Sequence, residues 1–563
     1  MDRIDHLLQT AGKRIGLLLA AVTLVGAALM PATAEAAVQA RTAASFVDSI
    51  GIDTHTSYSN TVYASRFPEL KAKLAELGVR HVREDLVPGN SGQYTRLNEL
   101  AGIGIKPTLI MGSPKNGISG LESLLSTATS KLKGIDALEG PNEYYASGSA
   151  NWASEDAEYQ RRLWELAKAN PALSSLPILG PSTVFWENGE LGDVSQWLDY
   201  GNIHPYPGGY PPEEYLQRHV EYATKSSGSK PVIATETGYH NAMNWTGDFP
   251  PTSEQASATY IPRIFLDYYE NGVARTFLYE LVNEQPDPGL TEREDNFGLL
   301  RNDLSEKPAF VALRNLIGIL KDSGASSFAP GSLSFSVGGN TEKLHKVLLQ
   351  KSDGTYYLAL WRATSVWDPV KQVALNPGSA PVTVSFGQSI ETVERFAPNS
   401  SSASLGSFSN PSSGVSLEVG PQVTILRIVP GGTATPVESE ATPTPVESEP
   451  APAPAPAPEE ETKKPSHGKK RTRVTAWTTT TAASPGDAVV VRGEVESSEE
   501  QPHEVAIQAW EGGWRTVRRS AVSSSGTFGT RVRLKSRHGA RVLRLRALAA
   551  AAPSAPVRVR LKG

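Results

Sequence analysis

Cysteine is absent from all 563 residues, so the chain has no disulfide framework, thiolate zinc site, iron–sulfur cluster or cysteine nucleophile. Histidine is sparse, at ten, and no H-E-x-x-H occurs, which argues against a metalloprotease. No glycine-rich phosphate loop follows any strand-like run, and only one long apolar run exists, near the N-terminus. The formal net charge of −5 argues against a nucleic-acid binder. That average hides an asymmetry: residues 471–563 hold 16 Lys and Arg against 7 Asp and Glu, about +9, and the remainder is about −14. With 39% hydrophobic and 20% charged residues, a chain of this length should form two to four folded units.

The organisation reads from the N-terminus. Arg3, Lys13 and Arg14 precede an apolar run over 15–30 and the small-residue site Ala34-Glu35-Ala36, the pattern of a secretory signal peptide over 1–36. The run falls short of the roughly 20 residues that span a bilayer, so a secreted product, free of the membrane after cleavage, is expected. Residues 431–470 are rich in Pro, Thr, Glu and Ala, including APAPAPAP at 451–458, and should form a semi-rigid spacer.

Between them, residues 45–325 alternate short β-branched runs (46–53, 80–85, 106–112, 135–143, 176–183, 201–207, 230–238 and 274–281) with amphipathic stretches such as 68–78 and 157–170. Eight such alternations predict an α/β fold, a (β/α)8 TIM barrel. A doubly wound sheet usually stops at about five or six strands and carries the missing phosphate loop. Residues 326–430 switch to period-two alternation with Gly and Ser turns, predicting an antiparallel β-sandwich packed on the barrel. Residues 471–563 repeat that texture as a basic, immunoglobulin-like sandwich.

Barrel chemistry sits at the C-terminal strand ends. The fourth strand ends in Glu139-Gly140-Pro141-Asn142-Glu143-Tyr144 and the seventh in Thr235-Glu236-Thr237-Gly238. A carboxylate there is costly to bury without a partner or a task. Glu143 and Glu236 should share one mouth, and paired carboxylates suit glycoside hydrolysis: one protonates the leaving oxygen, the other attacks the anomeric carbon or activates water. Asn142 is placed to hold a sugar hydroxyl. Tyr206, after His204, should hydrogen-bond the strand-seven carboxylate, and Arg83, at the end of strand two, should lower its pKa. Aromatic platforms for sugar rings are sought among Tyr144, Tyr145, Trp186, Tyr210, Tyr239 and Trp245, with His55 as a further hydroxyl contact.

These residues resemble, in order and in strand position, glycoside hydrolase clan A, the retaining (β/α)8 glycosidases, with a layout most similar to families 39, 30 and 51. The resemblance covers 46–320, about half of the chain. It implies Glu143 as general acid/base, Glu236 as nucleophile, a carbohydrate substrate, and neither cofactor nor metal. Many clan members carry tryptophan at the end of strand eight. Here Tyr279 takes that place, or Glu280 makes polar contact with the sugar. A transglycosylase would use the same residues, and a non-catalytic carbohydrate-binding barrel is the alternative from another class. A monomer is expected. The basic tail reads either as a spacer with a solvated cationic face or as an attachment module for cell-wall polymer or polysaccharide, with Trp510 and Trp514 as ring contacts.

Overall fold

Eight short parallel strands build the central sheet: β1 Ile50–Asp53, β2 His81–Asp85, β3 Lys106–Ile110, β4 Ala137–Glu139, β5 Ile178–Leu179, β6 Gly201–Ile203, β7 Val232–Ala234 and β8 Thr276–Leu278. They are hydrogen-bonded in the order β5-β4-β3-β2-β1-β8-β7-β6, and a parallel bridge from Leu179 to Tyr200 brings β5 to the start of β6. The sheet thereby closes into the TIM barrel. This computed structural model describes residues 37–431 apart from 185–186, 248, 325–326 and 413, and beyond them chiefly the strand segments between 472 and 561. The signal-like segment 1–36 and nearly all of the 431–470 spacer lie outside the described residues.

Each strand falls inside a predicted run, but the first is half helix. Residues Ala43–Asp48 form one turn and a half of helix, because the Thr42 side chain accepts from the Ser45 N–H at 3.1 Å and caps it. Ala137, Leu179, Ile233 and Phe277 fill the barrel floor. Gly51 makes room for the Phe277 ring, since a Cβ there would stand 2.3 Å from it.

The second body contains β9 Phe335–Gly339, β10 Leu344–Gln350, β11 Tyr356–Arg362, β12 Ala380–Phe386, β13 Ile390–Ala397, β14 Ser401–Ser409, β15 Val415–Val419 and β16 Thr424–Pro430. One sheet runs β9-β12-β15, the other β14-β13-β16-β11-β10. Arg41–Thr42 extends the larger sheet by pairing in parallel with β10, so residues preceding the barrel complete the sandwich. Alternation divides β11 between two cores. Leu358 and Leu360 enter the sandwich interior, whereas Tyr357, Ala359 and Trp361 pack with the barrel core. At this junction fully buried Arg263 grips Glu213 through Nε at 2.7 Å and Nη2 at 2.6 Å, and Trp361 Nε1 donates to the same carboxylate at 2.9 Å.

Past residue 471 the described strands form a three-stranded sheet, Thr472–Trp477, Ala488–Ser497 and Thr527–Arg533, and a larger sheet built on Glu504–Trp510, Trp514–Ala521, Val542–Ala549 and Val557–Leu561. Trp510 and Trp514 are register partners there, with side chains outside the described residues. No helix among the described residues is long and apolar enough to cross a membrane.

Candidate active site

The C-terminal ends of the barrel strands enclose a cavity of about 310 Å3 lined by Asp53, His55, Tyr58, Arg83, Asn142, Glu143, Tyr145, Tyr206, Glu236, Tyr279, Phe249 and Phe297, among others. Glu143 lies just past β4 in the left-handed region, at φ 44° and ψ 39°. A non-glycine residue holds that conformation only where its surroundings fix it, and they do: its N–H donates to Ser182 Oγ at 3.0 Å, and Ser182 in turn donates to Asn142 Oδ1 at 3.1 Å. Glu236 follows β7. One carboxylate oxygen of Glu143, one of Glu236 and a ring nitrogen of His204 all lie within 4.8 Å of one another.

Arg83, buried in the middle of β2, organises the floor. Nη1 donates to Glu236 Oε1 at 2.8 Å, Nη2 to Asn142 Oδ1 at 2.6 Å, and Nε and Nη2 to Glu139 at 2.7 and 2.8 Å. The Tyr206 hydroxyl donates to Glu236 Oε2 at 2.8 Å. Burial is the largest single influence on Glu236 and pushes its pKa up. Together the facing His204 and Arg83 charges and the hydrogen bonds from Tyr206 and Arg83 outweigh it, holding the carboxyl down at about 2. Glu236 is therefore ionised at neutral pH. Beside it Asp53 is raised well above the carboxylate range, chiefly by burial, and its Oδ2 is buried without a protein partner.

His204 couples Glu143 to this network. Its Nδ1 lies 2.7 Å from Glu143 Oε1 and its Nε2 3.0 Å from Thr235 Oγ1. The single Thr235 hydroxyl proton has acceptors in Asn202 Oδ1 at 2.7 Å and Glu139 Oε1 at 3.2 Å, so Thr235 accepts from His204, and Nε2 carries a proton. Nδ1 is left as the atom that shares a proton with Glu143. His204, expected to bind substrate, is fully buried and acts on the carboxylate instead.

Other expectations are redirected. Glu280 does not line the cavity. It is fully buried and accepts from the Tyr63 hydroxyl at 2.9 Å. Tyr279 does line it, edge-on to Phe297 at 5.2 Å. Of the proposed platforms among the described residues, only Tyr145 is on the cavity wall. Tyr144 turns its hydroxyl to Glu155 at 2.7 Å, Tyr239 is buried against Tyr260, Tyr210 packs edge-on to Tyr215, and Trp245 stacks under Arg293 at 5.6 Å. Trp186 lies outside the described residues. His55 is on the wall, stacked on Tyr58 at 4.6 Å. Sequence reasoning missed Glu139, Asp53, Ser182, Asn202, Phe249 and Phe297. For Glu139 a signal existed, a charged residue inside an apolar strand run.

No protein-family model matches this chain, and no curated protein matches it in sequence. Among solved structures it is similar to an active-site mutant of the Rhizomucor miehei β-1,3-glucanosyltransferase in complex with laminaritriose, at 17% identity and TM-score 0.38 over 46% of this chain and 96% of that one. It is also similar to the Ruminococcus gnavus β-glucuronidase in complex with a C6-substituted uronic isofagomine, at 14% identity and TM-score 0.36. The match covers 49% of this chain and 49% of the glucuronidase, so the chain spans about half the length of that relative.

Proposed function

We propose that this protein is a secreted retaining glycoside hydrolase of the clan A type, cleaving O-glycosidic bonds of an oligo- or polysaccharide by double displacement. The observation that carries the reading is the approach of the Glu143 and Glu236 carboxylate oxygens to within 4.8 Å across one cavity. Retaining enzymes separate their carboxyl groups by about 5–5.5 Å, inverting enzymes by about 6.5–9.5 Å.

The two environments divide the roles. Glu236, held ionised by Arg83 and Tyr206, attacks the anomeric carbon and forms a glycosyl-enzyme ester. Glu143, whose side chain is 31% exposed against 13% for Glu236, protonates the departing oxygen and then takes a proton from the water that hydrolyses the ester. His204 Nδ1 holds Glu143 Oε1, which leaves the other oxygen for the leaving group. Asn142 Oδ1 is engaged by Arg83 and Ser182, so its donor end is the one a sugar hydroxyl would meet. Tyr145, Tyr279, Phe249 and Phe297 supply ring faces and edges to the sugar.

Export is proposed from the charged and apolar pattern of residues 1–36, and attachment to an anionic wall polymer from the basic residues of 471–563. A panel of aryl glycosides, assayed with the wild type, Glu143→Ala and Glu236→Ala, tests the enzymatic reading. Turnover lost in Glu236→Ala, with an activated leaving group rescuing the first step in Glu143→Ala, is expected. Near-normal turnover by Glu236→Ala would overturn it.

A further inference from the structure

We infer that His55, Glu280 and Glu284 form a binding site for a divalent metal ion of the zinc or manganese kind, beside the catalytic cavity. His55 follows β1, and the two glutamates follow β8. One donor atom from each lies within 4.8 Å of the others. His55 Nε2 stands 3.6 Å from Glu280 Oε2 and 3.7 Å from Glu284 Oε1.

These separations are too long for hydrogen bonds, and they are close to the spacing of ligands around an ion. Two ligand atoms each 2.0–2.2 Å from a tetrahedral centre are about 3.3–3.6 Å apart. The unmet bonding capacity agrees. His55 Nε2 and Glu280 Oε1 are both buried without a hydrogen-bond partner, and the Glu280 side chain is 0% exposed. A buried acceptor of that kind is costly unless something occupies it.

The catalytic trio has the same residue types and a different geometry. There His204 Nδ1 is 2.7 Å from Glu143 Oε1, a hydrogen bond, and Arg83 and Tyr206 satisfy Glu236. Protons and a guanidinium already meet that cluster's needs. Around Glu280 and Glu284 the charge is unbalanced: among the described residues no lysine or arginine lies within ion-pair distance of either carboxylate.

The surroundings orient the ligands. Tyr63 donates to Glu280 Oε2 at 2.9 Å, a hydrogen bond of the sort that fixes metal-binding carboxylates. The His55 ring is clamped by Tyr58 at 4.6 Å and by the edges of Tyr63 at 5.7 Å and Tyr279 at 5.5 Å. One imidazole with two carboxylates suits Zn2+ or Mn2+ better than all-oxygen cations such as Ca2+. Such an ion ties the loop after β1 to the loop after β8, and so fixes Tyr58 and Tyr279 on the cavity wall.

The test uses the full chain without a histidine tag, stripped with chelator and dialysed. ZnCl2, MnCl2 and CaCl2 are titrated in separately by calorimetry, metal content is measured by mass spectrometry, and thermal unfolding is followed with and without each ion. Zinc or manganese should bind at one equivalent and raise the Tm. Glu284→Gln and His55→Gln should each weaken binding by at least about tenfold while their far-UV circular dichroism matches the wild type. Glu284 is partly exposed, so its variant preserves the fold. Less than a tenth of an equivalent bound with no Tm shift, or unchanged affinity in both variants, overturns the site.

Discussion

Arg83 grips Glu139 with two hydrogen bonds, Nε to Oε2 at 2.7 Å and Nη2 to Oε1 at 2.8 Å, and that grip decides where the rest of the guanidinium points. With its plane fixed, Nη1 reaches Glu236 at 2.8 Å and Nη2 also reaches Asn142 at 2.6 Å. Asn202 Nδ2 donates to Glu139 Oε1 at 3.0 Å, so the carboxylate is itself held. Glu139 is a positioning residue that acts through Arg83.

Glu139→Gln keeps the shape and removes the charge. Arg83 is then free to tilt, and misplacement of a reacting group by about 1 Å costs on the order of 100-fold in rate. kcat should fall by that order with KM changing far less, and loss of a buried partner should lower stability by about 3 kcal/mol. Steady-state kinetics paired with denaturant unfolding checks both. An unchanged kcat would remove Glu139 from the account.

Tyr206→Phe deletes the 2.8 Å hydrogen bond to Glu236. That bond favours the ionised carboxylate, so its loss raises the pKa from about 2. Because the nucleophile works as the anion, the acid limb of kcat/KM moves to higher pH in the variant, by about one unit. The same sign governs stability: a carboxyl depressed below 4.5 stabilises the fold above that pH and loses the contribution as pH falls towards 2. The pH profile of the variant measured beside the wild type shows the displacement.

Lys307 is buried, and its ammonium donates to Asn241 Oδ1, Asn283 Oδ1 and Asn296 O, each at 3.0 Å. It joins the loop after β7 to the long loop after β8 that carries Phe297 onto the cavity wall. Lys307→Met leaves those acceptors unpaired, at a cost of about 3 kcal/mol. A lower Tm is expected together with a raised KM, since the Phe297 wall loses its support. Thermal unfolding and substrate titration measure the two effects.

Period and strand-end chemistry made the barrel readable: β-branched runs spaced by amphipathic helices, with Glu143 and Glu236 just past β4 and β7. Arg83 and Tyr206 were legible for the same reason, as polar residues at or near the C-terminal halves of strand-like runs. Glu139 was harder because it closes β4 ahead of the loop that carries Glu143, and its partners are distant in sequence: Arg83 in β2, Asn202 in β6 and Thr235 just past β7. The aromatic wall was illegible: Phe249 and Phe297 sit in long loops without periodicity, and only tertiary packing turns them inward while Tyr144 and Tyr239 turn away. The two-residue strand Arg41–Thr42 is too short to leave a pattern.

The claim of double displacement is tested most directly by the anomeric configuration of the first-formed sugar. With the best aryl glycoside of the panel, proton NMR recorded before mutarotation should show the product in the configuration of the substrate, the outcome expected for two carboxylate oxygens within 4.8 Å. A product formed first with the opposite configuration would contradict the account and remove Glu236 from the role of nucleophile.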